Sequence, residues 1–278
     1  MPSILLHLVN ALLYAGAATY FWRTRWRPAT EPAIPEVSGR SAAWENLVIF
    51  LPLALHTWLL YRTMFEPEGL FLGVGTALSA IAWLSMLIYW LASLAYRLEG
   101  LQSLILPVAA IAVLLPAVFP ATRPLAHTEF PAFKFHLVLS MLAYSLFTIA
   151  SLHVLLMALV ERRLHGGALT RSLRSMPPLL TMETLLFRII GAGFALLTLA
   201  LVSGVFFSEE VFGKPMSLSH KTLFAWLSWA IFAALLAGRS IYGWRGRVAV
   251  RWTLAGFLTL VLAYVGSKFV VEVLLGRG

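Results

Sequence analysis

The sequence predicts an all-α membrane protein: a polytopic bundle of about eight transmembrane helices, organised as a single integral membrane domain over residues 1–278. Three observations predict this fold class. The chain is 60% hydrophobic and only 12% charged, with a mean hydropathy of +0.84, which is too apolar for a domain that faces water. Apolar runs of ~20 residues, the length that crosses ~30 Å of hydrocarbon, recur along it. Short turns with basic residues separate these runs.

The predicted spans follow from the apolar runs. The shortest turn lies between the third and fourth spans, where only residues 97–100 interrupt the apolar pattern. Pro52, Pro107 and Pro116 fall inside spans, where a proline can kink a helix while neighbouring helices satisfy the freed carbonyl groups. The eight predicted spans lie near 3–22, 45–64, 70–96, 102–120, 133–160, 185–207, 220–238 and 252–274.

The distribution of basic residues predicts the orientation of the bundle. The loops after the first, third, fifth and seventh spans, together with Arg188, hold fourteen of the 21 lysine and arginine residues. Cytoplasmic loops of membrane proteins carry this excess, so this side is predicted to be cytoplasmic. An even number of spans then puts both termini outside, on the periplasmic side. No basic segment precedes the first apolar run, which we interpret as a retained helix rather than a cleaved signal peptide.

Composition excludes several functional classes. Without cysteine, the chain cannot form disulfides, thiolate metal sites or covalent haem attachment. Its twelve acidic residues are all glutamate, and no hydrolase, metalloprotease or nucleotide-binding motif is present. We therefore expect that the protein is not an enzyme. The basic residues sit in short loops rather than on one stripe, which argues for the lipid bilayer as partner and against nucleic acid.

Histidines in or near the spans are the main candidates for a site, because imidazole can ligate iron, titrate or hydrogen-bond. His136 lies about one turn into the fifth span from the outer side, where metal ligation and a plain interfacial role are both open. His56 lies deeper, in the second span, and either functions in a site or joins two helices through a hydrogen bond. His127 lies in the outer loop before the fifth span. His220 opens the seventh span, where capping and solvation are the alternatives to ligation.

Two further histidines are expected to be structural. His7, near the outer end of the first span, is more typical of an interfacial residue. His153, on the inner half of the fifth span, is expected to hydrogen-bond to a neighbouring helix.

Several segments together resemble the cytochrome c assembly family, whose members include CcsA-, ResC- and HemX-like proteins. The resemblance covers about 45–270 and is most like the short bacterial inner-membrane branch of the family. The segments that carry it are 136–144, which begins with His136, and 176–183, 196–204, 243–247 and 262–267.

The resemblance implies a multi-pass protein of the bacterial cytoplasmic (inner) membrane that handles haem b at the outer face during cytochrome c maturation. CcsA-type members hold haem at outer histidines that flank a tryptophan-rich "WWD" loop, with further histidines inside the membrane. His136 matches the first outer histidine, which makes it the implied ligand of the haem iron. The residues at the place of the tryptophan-rich segment are Gly204, Phe206, Phe212, Gly213 and Lys221.

The sequence also departs from the family pattern. Phe206 and Phe212 replace the tryptophans of the loop, and Arg239, which cannot ligate iron, stands where an intramembrane histidine is expected. No histidine follows the eighth span. If haem is bound, the second axial ligand is therefore sought among His127, His56 and His220.

Three functional hypotheses follow. The first is a haem-binding membrane protein of the cytochrome c assembly type, acting with other maturation proteins. The second is a non-enzymatic accessory or regulatory subunit of another membrane protein, for example an ion transporter, that keeps the fold without haem. The third, a transporter in its own right, has less support because the spans lack paired acids and bases.

Overall fold

The computed structural model describes residues 2–25, 40–95, 98, 100–165, 178–207 and 219–266. It confirms the all-α membrane bundle. In these ranges, seven helices are long and apolar enough to cross a membrane, and a shorter apolar helical segment covers Gln102–Val118. The element order is α1 (Pro2–Arg25), α2 (Arg40–Met64), a small hairpin of β1 (Phe65–Glu66) and β2 (Gly69–Leu70), α3 (Val74–Ala95), α4 (Gln102–Ala112), α5 (Leu115–Val118), α6 (Pro131–His165), α7 (Leu179–Phe206), α8 (His220–Tyr242), α9 (Arg247–Val261) and a π-helical turn (Leu262–Gly266).

The fourth predicted span differs from the prediction, because α4 and α5 replace one continuous helix. Pro116 explains the break: it has no backbone N–H, and its ring clashes with the carbonyl group four residues earlier. That carbonyl belongs to Ala112, the last residue of α4. The helical segment is therefore shorter than the other seven.

The broken segment still runs back across the bundle beside α3. At one end, the hydroxyl of Tyr89 donates a hydrogen bond to Oε1 of Gln102 at 3.0 Å. At the other end, Gly75 lies so close to the carbonyl groups of Leu115 and Phe119 that an added Cβ would overlap them. The segment therefore spans most of the length of α3 in the antiparallel direction. The position of the two termini remains a prediction.

Two groups of helices share the long helix α6. The first group contains α1 to α5, with α1 packed on α4 and α2 packed on α3. The second contains α6 to α9, and α6 also packs on α3. At the centre of the second group, the rings of Phe147 and Phe232 stack with centroids 3.9 Å apart. Gly193 and Gly256 cover the two outer faces of this stack, where a Cβ would press against the rings. Small residues thus allow four helices to meet around one aromatic pair.

Candidate functional site: the histidines of the helix bundle

His136 lies near the start of α6 and contacts α7. Its Nδ1 is 3.0 Å from the hydroxyl oxygen of Ser203, and its Nε2 is 3.4 Å from the hydroxyl oxygen of Ser140, one turn further along α6. The ring is half-buried, whereas Ser203 is only 5% exposed. The imidazole is therefore held from the protein side through Nδ1.

The hydrogen bonds of Ser203 determine the proton position on His136. The Ser203 hydroxyl donates to the carbonyl oxygen of Ala200 at 2.9 Å, so its oxygen accepts the N–H of Nδ1. In a neutral imidazole the other nitrogen then carries a lone pair. Among the residues that the structure describes, that nitrogen, Nε2, has only the 3.4 Å contact with Ser140, which is long for a hydrogen bond. Iron-ligating histidines commonly have this arrangement, with one ring N–H fixed by an oxygen and the other nitrogen available.

Gly204 provides the space that the His136 ring occupies. A Cβ added at Gly204 would lie 3.3 Å from Cε1 and 3.6 Å from Nδ1 of His136. Any larger side chain would press against the imidazole. Ser203 and Gly204, consecutive residues of α7, therefore set the orientation of the ring.

His56 is placed differently. It is fully buried, and both of its ring nitrogens have partners on other helices. Nε2 is 2.9 Å from the hydroxyl oxygen of Ser79 on α3, and Nδ1 is 3.3 Å from the hydroxyl oxygen of Tyr14 on α1. In this arrangement His56 joins three helices by hydrogen bonds, and a helix-joining role was one of the two alternatives predicted for it. Both ring nitrogens are engaged, so neither is available to ligate iron.

The other two candidates lie in a loop and at the first residue of a helix. His127 occupies the loop before α6 with a positive φ of 64°, and its ring lies 6.2 Å from that of Phe130. His220 is exposed at the start of α8, directly after the helix cap. The hydroxyl of Ser219 accepts the backbone N–H of Thr222, so capping at this position is confirmed. Ligation by either histidine remains a prediction.

The first span contains polar residues whose importance the sequence analysis missed. His7 was predicted to be interfacial; its depth in the membrane remains a prediction, but its side chain is only 3% exposed and therefore packs inside the bundle. Asn10 and Tyr14 are fully buried on the same helix face, three and seven residues later. This i, i+3, i+7 spacing of polar residues in an apolar span was the signal that could have revealed a buried polar face.

Arg239, at the position where the family pattern suggests an intramembrane histidine, belongs to an ion pair. Its Nη1 lies 2.6 Å from Oε1 of Glu183 on α7, and Arg245 lies 3.5 Å from the same oxygen. The guanidinium group also lies over the ring of Phe187 at 4.7 Å. The carboxylate of Glu183 thus compensates the charge of Arg239 between two helices. Met182, which directly precedes Glu183, accepts a hydrogen bond from His153 of α6 at its carbonyl oxygen at 2.9 Å, which confirms the predicted helix–helix hydrogen bond of His153.

The loop that corresponds to the tryptophan-rich segment lies mostly outside the described residues. Phe212 and Gly213 fall in this part, residues 208–218. Phe206 and Lys221, at its two ends, are exposed. Within the described ranges, no group of three or more histidine and glutamate side chains could hold a bare metal ion.

The long apolar helices and the polar groups buried between them define a multi-pass membrane protein. The chain belongs to the cytochrome c assembly protein family: the sequence model described as "Cytochrome C assembly protein" matches residues 44–275. This match confirms the resemblance seen in the sequence. It begins within α2, so α1 lies outside it. No solved structure matches the chain.

The curated relatives include inner-membrane and cytochrome c biogenesis proteins. Inner membrane protein YpjD of Escherichia coli K12 is 33% identical over 175 residues, which is 62% of this chain and 65% of that protein. An uncharacterised 28.8 kDa protein of Azospirillum brasilense is 36% identical over 141 residues, 51% of this chain and 52% of its own length. Cytochrome c biogenesis protein CcsA of Synechocystis is 32% identical over 121 residues, covering 44% of this chain and 35% of that protein. The chain thus spans just under two thirds of the first of these relatives.

Proposed function

We propose that this protein binds haem b non-covalently at the outer end of the bundle, with His136 as an axial ligand, and handles haem for cytochrome c assembly. The observation that carries the proposal is the orientation of His136: Nδ1 donates to Ser203, and the lone pair of Nε2 has, within the described ranges, only a long contact with Ser140. We further propose that the protein binds and positions haem without catalysing bond formation, since no catalytic motif accompanies this histidine.

The residues around His136 suit a porphyrin. Ser203 holds the Nδ1 proton and thereby keeps Nε2 basic, and Gly204 leaves room for the ring. Exposed apolar side chains flank this end of α6 and α7, including Phe135 at 56% and Phe206 at 75% exposure. Lys134, two residues before His136, is exposed and can pair with a haem propionate. Bound haem would supply an iron that changes redox state, and His136 would hold it through Nε2.

The second axial ligand is proposed to be His127 or His220. Both lie at loop or helix-start positions of the chain, and neither is buried in the helix core. His56 is the weaker candidate, because Tyr14 and Ser79 engage both of its nitrogens. Other cytochrome c maturation proteins are the proposed partners, in keeping with the printed name of the CcsA relative.

The test is the reduced-minus-oxidised absorption spectrum of the full chain purified in detergent. The wild-type protein is expected to show a b-type spectrum, and His136→Ala is expected to lose it. His220→Ala and His127→Ala, measured in parallel, identify the second ligand by a changed spectrum. A colourless wild-type protein, or a spectrum that His136→Ala leaves unchanged, would contradict the proposal.

One observation favours a second candidate function, that of an accessory subunit of another membrane protein. The pair of Arg239 and Glu183 occupies the position of an expected iron ligand, so part of the family's haem machinery is replaced by a structural ion pair. Affinity purification from native membranes distinguishes the two functions. A stoichiometric membrane partner together with no haem would favour the accessory role, whereas a solitary protein that carries haem would exclude it.

A further inference from the structure

A cavity of about 440 Å³ lies at the end of the first helix group where α1 begins and α2 ends. The volume lies within the range of small-molecule sites in proteins, about 300–1,000 Å³. The apolar part of its lining includes Leu6, Trp58, Leu59 and Pro116. Trp58 is 46% exposed, so this apolar lining continues onto the outer surface of the bundle.

Two side chains of opposite charge also line the cavity. Arg62, near the end of α2, and Glu66, in β1, are both exposed and therefore lie at its mouth. In the described residues, neither forms an ion pair with the other or with a third side chain. Arg62 instead lies over the ring of Trp58, with 5.7 Å between Cζ and the ring centroid. The mouth thus offers a cation and an anion to a ligand.

The uncharged polar groups of the lining present acceptor atoms. Nδ1 of His7 lies 2.7 Å from the carbonyl oxygen of Val113, which can only accept, so the lone pair of the neutral ring is on Nε2. Within the described part of the chain, Nε2 has no hydrogen-bond partner, and it is left to face the cavity that His7 lines. The hydroxyl groups of Thr63 and Thr76 each donate to a backbone carbonyl oxygen, at 3.0 and 3.2 Å. Their oxygens can therefore accept from a ligand.

This lining selects a ligand that carries both charges and several hydrogen-bond donors. A simple anion would meet the like charge of Glu66, and a simple cation would meet that of Arg62. A primary ammonium group has three N–H donors, which match the three acceptors of the lining. A phosphate group matches the guanidinium of Arg62. An ethanolamine phosphate headgroup combines the two, and acyl chains can continue along the apolar lining.

We propose that this cavity binds the headgroup of a phosphatidylethanolamine molecule from the bilayer. The ammonium group donates to His7, Thr63 and Thr76, and the carboxylate of Glu66 compensates its charge. Arg62 binds the phosphate. The inference does not depend on haem binding, because the cavity lies in the first helix group and His136 in the second. It does not follow from the family match either, which begins at residue 44 and leaves out α1.

The test compares the binding of three lipids with identical acyl chains to the purified full chain, by titration and native mass spectrometry. Phosphatidylcholine keeps both charges, but its trimethylated ammonium has no N–H, and phosphatidylglycerol lacks the cation. We expect phosphatidylethanolamine to bind about tenfold more tightly than either, the factor that corresponds to one hydrogen bond to a charged group. Equal binding of phosphatidylethanolamine and phosphatidylcholine would overturn the proposal. Free phosphoethanolamine that binds as tightly as the lipid would assign the cavity to a soluble zwitterion and overturn the lipid as occupant.

Variants of the two exposed charges test whether the preference arises in this cavity, without disturbing the buried core. Arg62→Gln and Glu66→Gln are each expected to weaken binding of phosphatidylethanolamine about tenfold. The matched controls, Arg123→Gln and Glu68→Gln, remove the same charges from exposed residues that do not line the cavity, and they are expected to bind like the wild type. An unchanged preference in both Arg62→Gln and Glu66→Gln would overturn the assignment to the cavity.

A further variant separates this inference from the proposed function. His136→Ala is expected to lose haem and to keep the preference for phosphatidylethanolamine. A wild-type protein that prefers phosphatidylethanolamine but carries no haem would overturn the proposed function and support the lipid site. A protein that carries haem but binds the three lipids equally would overturn the lipid site alone.

Discussion

His136 and His56 are both membrane histidines that contact a serine on another helix, yet the structure gives them opposite properties. His56 is fully buried, and its two nitrogens engage Tyr14 and Ser79. His136 is half-buried, and in the part of the chain that the structure describes only its Nδ1 has a partner from another helix. The comparison teaches that burial alone does not identify a ligand. A histidine whose two nitrogens are satisfied stabilises the bundle, whereas one that is held by a single nitrogen can bind iron with the other.

The largest expected effect is on stability, at the His56 cluster. His56→Ala removes the imidazole and leaves the hydroxyl groups of Tyr14 and Ser79 without this partner in a dry interior. We expect a loss of about 3 kcal/mol in the free energy of unfolding, from the unpaired groups and the space left behind. Thermal unfolding in detergent measures it. The exposed His220→Ala serves as control, and equal melting temperatures for the two variants would contradict the structural role of His56.

The next effect concerns the haem affinity of His136. Ser203→Ala removes the acceptor that orients Nδ1, and loss of such a supporting group typically weakens metal binding by about 10- to 100-fold. Haem titration of the purified apoprotein measures the change. Ser228→Ala is the matched control, because Ser228 is another buried serine that donates to a backbone carbonyl, that of Gly256. If both variants bind haem equally well, Ser203 does not support the ligand.

A smaller effect is expected for the hydroxyl group that joins α1 to α2. Tyr14→Phe removes one hydrogen bond to His56 and is expected to cost about 1 kcal/mol of stability. Haem bound at His136 should be unaffected, which separates the two histidine environments. Thermal unfolding and the haem spectrum are measured on the same sample. Tyr20→Phe, at a tyrosine of α1 that is 39% exposed, is expected to change neither.

The smallest effect is expected at Gly204. In Gly204→Ala the new methyl group would lie 3.3 Å from Cε1 of His136, so the imidazole must shift by a few tenths of an ångström. We expect a slight change in the haem spectrum and a smaller loss of affinity than in Ser203→Ala. Gly191→Ala, at a glycine of α7 with open space around it, is the control. A larger loss in Gly204→Ala than in Ser203→Ala would show that space, rather than the hydrogen bond, controls the ring.

More of the fold than of the candidate site could be predicted from the sequence. Long apolar runs predict spans because every backbone polar group in lipid must be paired within its own helix, a local requirement. Pro116 was recognised inside the fourth span, but its effect, a helix that ends at Ala112, became clear only in the structure. The hydrogen bond of His153 was predicted from its depth alone and is confirmed. The burial of His7 was not predicted, since its neighbours Leu5 and Leu8 face outward and depth along the helix gives no direction.

By itself, the sequence determined the membrane class, the approximate limits of the helices and the family, because hydrophobic length and short motifs are properties of the local chain. It also supplied His136 as the leading candidate ligand. Only the tertiary structure decided which nitrogen of each histidine is occupied, since the partners Ser203, Ser79 and Val113 come from other helices. The same holds for the pairing of Arg239 with Glu183, 56 residues apart in the chain. Hydrogen bonds and ion pairs between helices depend on how the helices face one another, and a linear pattern does not contain that information.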